Sequence, residues 1–166
     1  MHIGKYLRFL LRSTNQYGVH SPFIYGFVTG GLYKRGKFRG KKTHRILFRM
    51  IKYFRIGEVI LTGESRELQT LLHTCFPGLA DRAKGEKRLV YHRITAETDP
   101  ETLFSREDFG AEDILVLDGI YESRGTEDAW NSICGHPRAR VTVDLFWLGV
   151  VFFRTGQARE HFVIRP

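Results

Sequence analysis

Apolar residues recur along this chain with two different periods, and the change from one to the other divides it. Over Ile3 to Ser13, Tyr6, Leu7, Leu10 and Leu11 share one helical face while Lys5, Arg8 and Arg12 fall on the other. That spacing predicts a basic amphipathic helix. Asn15, Gly18 and Pro22 interrupt the pattern, and Gly30, Gly31, Gly36 and Gly40 among Lys and Arg predict a flexible loop from Gly30 to Lys42. A second basic helix is expected over Thr43 to Arg55, with Ile46, Leu47, Met50, Ile51 and Phe54 as its apolar stripe and Arg45, Arg49 and Lys52 on its polar face.

From Glu58 the rhythm shortens. Val59-Ile60-Leu61, Arg88 to Ile94 and Ile114 to Leu117 read as buried strands. Between them, Leu68, Leu71, Leu72 and Cys75 keep helical spacing up to Pro77-Gly78, and Asp99-Pro100 starts another helix. Thr126 to Cys134 reads as a helix capped by Thr126 and closed by Gly135 and Pro137. Val141, Val143 and Leu145 alternate with polar or aromatic neighbours, Trp147-Leu148-Gly149 can turn the chain, and Val150 to Phe153 comes next, which predicts an antiparallel hairpin. His161 to Ile164 adds a last strand. The order of elements is that of an α/β sandwich with a mostly parallel sheet, a C-terminal antiparallel hairpin and two preceding basic helices.

Composition sharpens this division. The 166 residues are enough for one domain with a sizeable core. Residues 1–57 contain thirteen Lys and Arg and no acid. The other thirteen basic groups share residues 58–166 with all eighteen acids, so a net +13 segment precedes a −5 body and the whole carries +8. We therefore expect a basic helical extension, residues 1–57, on an α/β domain, residues 58–166. Such asymmetry suits an anionic partner for the basic part: a membrane surface, nucleic acid or an acidic protein. The longest apolar run, Leu145 to Phe153, is too short to span a bilayer, which needs about 20 residues. Met1 to Arg12 lacks the continuous apolar region of a secretory signal. Cys75 and Cys134 stand apart, as small buried thiols of a reducing compartment do, so the cytoplasm is the expected location, with a peripheral place at a membrane as the alternative. The histidines lack metal-ligand spacing, and no metal is expected.

Ligands of open α/β sheets bind outside the carboxyl ends of the strands. Two ends carry candidate chemistry: the corner Leu61-Thr62-Gly63-Glu64-Ser65-Arg66-Glu67, and Leu117-Asp118-Gly119-Ile120-Tyr121. In a parallel sheet Asp118 faces the same crevice as Gly63. A nucleoside site wants turn glycines and an acid about 20 residues on. Here Gly63 is the one turn glycine, and between Lys87 and Ala96 there is no acid; His92 and Arg93 occupy that strand end. An ordinary strand-to-helix corner accounts for this pattern better than a nucleoside site. The aromatic residues Tyr6, Tyr17, Phe23, Tyr25, Phe27 and Tyr33, interleaved with cations, read either as a stacking platform for single-stranded nucleic acid or as packing groups.

The tail Ala129-Trp130, Ile133, His136-Pro137, Val141-Thr142-Val143-Asp144-Leu145-Phe146, Leu148 to Arg154, Gln157-Ala158 and Glu160-His161-Phe162 resembles bacterial class I S-adenosylmethionine-dependent methyltransferases of the Bacteroidetes type. Tyr6-Leu7-Arg8, Asn15-Gln16-Tyr17-Gly18 and His20-Ser21-Pro22-Phe23 are similar to the N-terminal signature of the same group, and Leu47-Phe48-Arg49 and Tyr53-Phe54 to the helix before its first strand. The resemblance implies a Rossmann-like fold, S-adenosylmethionine as cofactor, and Gly63, Ser65 and Asp118 as its binding residues. It also implies damage. The family's strand-ending acid falls on Leu61, its last turn glycine on Glu67, the second acid of its paired-acid strand on Gly119 and the following His on Tyr121. A carboxylate at Glu67 would repel the carboxylate of the cofactor. The stretch between Gly63 and Asp118 is short by at least one strand-helix unit.

These readings support three expectations. The chain is a methyltransferase-fold protein with weakened or lost cofactor binding that acts as a binding or scaffold protein, with self-association among its options. Alternatively it is an active S-adenosylmethionine-dependent methyltransferase on an unknown acceptor. The second alternative is a basic module peripheral to a membrane or bound to nucleic acid.

Overall fold

The structure, a computed structural model, describes residues 3–34, 36, 38–63, 66–80, 87–106 and 108–166. Six strands form one sheet: β1 (Glu58–Thr62), β2 (Arg88–Arg93), β3 (Ile114–Asp118), β4 (Val141–Asp144), β5 (Leu148–Phe152) and β6 (Glu160–Val163), in the order β1-β2-β3-β5-β4-β6. β1, β2 and β3 pair in parallel, β5 runs antiparallel to both β3 and β4, and β6 is parallel to β4. Five strands thus share one direction, and the β4–β5 hairpin supplies the exception. The expected α/β sandwich with a mostly parallel sheet and a C-terminal hairpin is what the chain forms.

Helices cover both faces because alternate strand residues are apolar on both sides. On one face Leu89, Tyr91, Ile114, Val116, Val150 and Phe152 meet α2 (Pro22–Gly26), α3 (Lys42–Phe54) and α4 (Arg66–Cys75). On the other, Val90, Leu115, Leu117 and Val151 meet α5 (Pro100–Arg106) and α6 (Arg124–Gly135). The basic N-terminal third therefore does not stand off the body. Ile24, Phe27, Val28, Leu47 and Phe48 are fully buried in the first of these layers.

α1 (Ile3–Arg12) is attached differently. It lies across the carboxyl ends of the strands, where Tyr6 and Phe9 pack on Phe146 of the β4–β5 turn at 4.9 and 5.3 Å between ring centres. Lys5 Nζ pairs with Glu127 at 2.8 Å and donates to the Ser123 carbonyl at the start of α6.

Local structure departs from expectation in three places. The expected loop from Gly30 begins inside a helix, since α2 continues into a π-helical turn over Phe27–Leu32. Gly30 and Gly31 pack under Tyr53 there, and a Cβ on Gly30 would stand 2.8 Å from that ring. Close approach, not flexibility, is what these glycines provide. The cap of α6 is Ser123 rather than Thr126; its hydroxyl accepts from the Thr126 N–H, and Thr126 returns the bond to the Ser123 N–H, both at 3.0 Å. The hairpin turns at Leu145-Phe146-Trp147, with Phe146 at φ 68, whereas Leu148 and Gly149 already belong to β5. Gly149 lies beneath Trp130, 2.6 Å from where its Cβ would be.

The connections between parallel strands differ in hand. Both the step from β1 to β2 and the step from β2 to β3 move the same way across parallel strands. Yet α4 lies on one face and α5 on the other. Two such crossovers must have opposite hands. The step from β3 to β4 continues in the same direction through α6, on the α5 face. About 98% of these connections are right-handed, and here the unit through α4 has the hand opposite to the units through α5 and α6, so the rule is broken.

Candidate functional site

The carboxyl ends of β1, β2 and β3 lie side by side and bring together Gly63, Arg93 and Asp118. Gly63 follows β1 with φ 102, a backbone shape that glycine adopts without strain. Asp118 ends β3. Ser65 lies outside the described residues. Gly63 and Asp118 thus share an edge as expected. β2 stands between their strands, and its last residue, Arg93, reaches to the β3 side.

The guanidinium of Arg93 donates to Asp118 Oδ2 at 2.6 Å and also pairs with Glu122 beyond the turn. Gly119 makes this possible. At φ 89 it turns the chain beneath the ion pairs, and a Cβ there would lie 3.2 Å from Arg93 Cζ and 3.1 Å from Glu122 Cδ. The turn is pinned on its other side by the Gly119 N–H, which donates to the Trp147 carbonyl at 2.9 Å. Tyr91 also bonds Asp118, and its hydroxyl is held far above its ordinary pKa by burial and by the Asp118 charge. Burial opposes the charge on Arg93, but Asp118 and Glu122 outweigh it and hold the guanidinium protonated. Asp118 therefore has a cation and a hydroxyl on it already.

Glu67, in the first turn of α4, forms a pair with Lys41 at 2.7 Å. The hydrogen bond from Lys41 holds its carboxyl below the ordinary range, so it is charged at neutral pH. Thr62, at the end of β1, shares a hydrogen bond of 2.7 Å with His92 Nδ1. A further carboxylate at this edge, Asp144, is fully buried. It accepts from the Tyr121 hydroxyl at 2.5 Å and from the Phe146 N–H at 2.8 Å. Burial raises its pKa, while those two donors partly offset the rise. Phe146 then stacks on Tyr121, and α1 covers both through Tyr6 and Phe9. Among the described residues, Asp118, Glu122, Glu67 and Asp144 each have a donor partner. What the arrangement does chemically is neutralise itself.

Arg93 was visible in the sequence as a cation where a nucleoside site wants an acid. Glu122 carried no such signal, because its role depends on the turn at Gly119. The aromatic groups of the N-terminal third divide. Phe27 is fully buried, Phe23 packs edge-on against Phe152, and Tyr6 is engaged with Phe146; Tyr17 and Tyr25 remain exposed. They do not form one platform.

Both cysteines are free, and burial pushes the Cys134 thiol up to about 12, so it is not a nucleophile at neutral pH. Among the described residues no group of His, Cys, Asp and Glu is placed to hold a metal ion, and no helix is long and apolar enough to cross a membrane. The chain matches no protein-family model, no curated protein and no solved structure.

Proposed function

We propose that this chain is a methyltransferase-fold protein whose cofactor crevice has closed and which acts as a binding or scaffold protein. The observation that carries this reading is the Arg93 guanidinium seated on Asp118 and Glu122 across Gly119. An incoming S-adenosylmethionine would have to displace a charge-assisted pair and leave Asp118 partly buried beside the buried Tyr91 hydroxyl. At the neighbouring corner, Glu67, paired with Lys41, stands where the resemblance places the last turn glycine.

The reversed crossover supports the same reading. A right-handed sheet places helices on opposite faces when strand order reverses, and the crevice forms at that reversal. Here the helices change face between α4 and α5 with no reversal between β1 and β3. Loss of a strand-helix segment after α4 explains both the wrong hand and the missing crevice wall. The remaining helix is then joined directly to a strand it would not otherwise precede.

Calorimetric titration of the full chain with S-adenosylmethionine tests the proposal. We expect no heat of binding up to millimolar ligand. Micromolar binding would replace this reading with that of an active methyltransferase.

A further inference from the structure

The cations of α3 stand in contrast to those at the strand ends. Lys42, Arg45, Arg49 and Lys52 succeed one another at intervals of three, four and three residues, which places them on one side of the helix over about 15 Å. Burial and the neighbouring Arg45 and Arg49 hold the Lys42 ammonium below its ordinary range, as crowding of like charges does. Lys42 is engaged with the Trp147 ring and the Pro166 carbonyl. Arg45 and Lys52 are exposed and have no carboxylate partner among the described residues.

Toward the end of α3 this ridge opens into a cleft of about 620 Å³. Lys34, Arg49, Lys52 and Arg55 line it together with the rings of Phe38 and Tyr53, and no acid among the described residues does. Arg49 is tied to the wall by a bond from Nη1 to the Leu32 carbonyl at 2.9 Å, but its buried Nε has no hydrogen-bond partner among the described residues. The Leu32 carbonyl thus holds the Arg49 guanidinium in place as one of the cations lining the cleft. Tyr53 lies on the glycine backbone of Gly30 and Gly31, and 37% of it stays exposed. A ring held rigid on one side and open on the other is a stacking surface.

We propose that this cleft and the α3 ridge bind single-stranded nucleic acid, the cations tracking phosphates and Tyr53 stacking a base. The ridge holds more cations than one mononucleotide needs. The concave cleft suits a strand that can enter it better than the flat plane of a bilayer surface. This inference does not rest on the cofactor reading, since the two sites share no residue.

The test is fluorescence anisotropy of the full chain with a labelled twelve-nucleotide oligo(U) strand over a range of salt. The triple variant Lys34→Gln/Lys52→Gln/Arg55→Gln should lower affinity at least tenfold at low salt. It should also reduce the slope of log affinity against log salt by about 2, since each phosphate contact on a single strand contributes about 0.7. A control triple, Arg8→Gln/Arg12→Gln/Arg124→Gln, removes the same charge elsewhere and should leave the slope within about 0.5 of the parent. Tyr53→Leu should weaken binding several-fold with the slope unchanged. Equal losses in the two triples would overturn the proposal by reducing it to net charge. Absence of oligonucleotide binding at low salt would overturn it too, as would parent-like binding by a folded cleft triple or a preference for phosphatidylserine vesicles over the strand.

Discussion

The two ends of α3 handle charge in opposite ways. Where its first residues meet the carboxyl ends of the strands, cations and acids are matched: Lys41 with Glu67, Arg93 with Asp118 and Glu122, Lys5 with Glu127. Along its outer face and at its far end, Lys34, Arg45, Lys52 and Arg55 have no carboxylate partner among the described residues, and the buried Nε of Arg49 has no acceptor among them. The first arrangement consumes its own binding capacity. The second keeps it, at the cost of like-charge repulsion within the folded chain.

The comparison can be broken most forcefully at Gly119. Gly119→Val forces a branched side chain into a left-handed backbone shape, 3.2 Å from Arg93 Cζ. The backbone penalty and the overpacking together should cost about 3 kcal/mol. Urea denaturation measures this, and a loss below about 1 kcal/mol would mean the strand-end closure is loose.

Acidification probes the border between the two regions. His44 is buried in α3, its Nδ1 has no hydrogen-bond partner among the described residues, and burial lowers its pKa. Glu67 and Asp118 pull the other way, and Lys41 reinforces the lowering. Above pH of about 6.5 both folded and unfolded chains carry the neutral ring, and its contribution is complete. Below that, the unfolded chain takes up a proton that the folded one resists. Stability should therefore fall with decreasing pH, by up to about 1.4 kcal/mol per unit from this group. Comparing His44→Gln with the parent between pH 7.5 and 5.5 isolates it: the variant should show the shallower slope.

Arg93→Leu sharpens the contrast on the neutralised side. It strands Asp118, but Arg93 is about half exposed, so screening limits the loss to about 1 kcal/mol. Thermal unfolding of Arg93→Leu, Asp118→Asn and the double variant would give a coupling energy, and a value near zero would contradict the pairing. The smallest effect belongs to the unneutralised side. Lys52 has no carboxylate partner among the described residues, so Lys52→Gln should leave stability within about 0.5 kcal/mol, or raise it slightly by relieving repulsion. A larger loss in chemical denaturation would show that Lys52 is structural.

Much of this was legible in the amino-acid order. The sheet's parallel half, its closing hairpin and the two basic helices arise from periodicity, because a side chain's face is set by its position within the element. The absence of acid from the first 57 residues and the cation Arg93 at the end of the second strand are also plain in the chain. Sequence alone did not reveal that Gly30 and Gly31 cradle Tyr53, that Ser123 caps α6, that Glu122 completes the Arg93 clamp, or that one crossover has the wrong hand. Each depends on residues distant in sequence or on the side of the sheet to which a helix returns. Local propensity decides which segments become helix or strand; only packing decides which charges meet and which are left facing water.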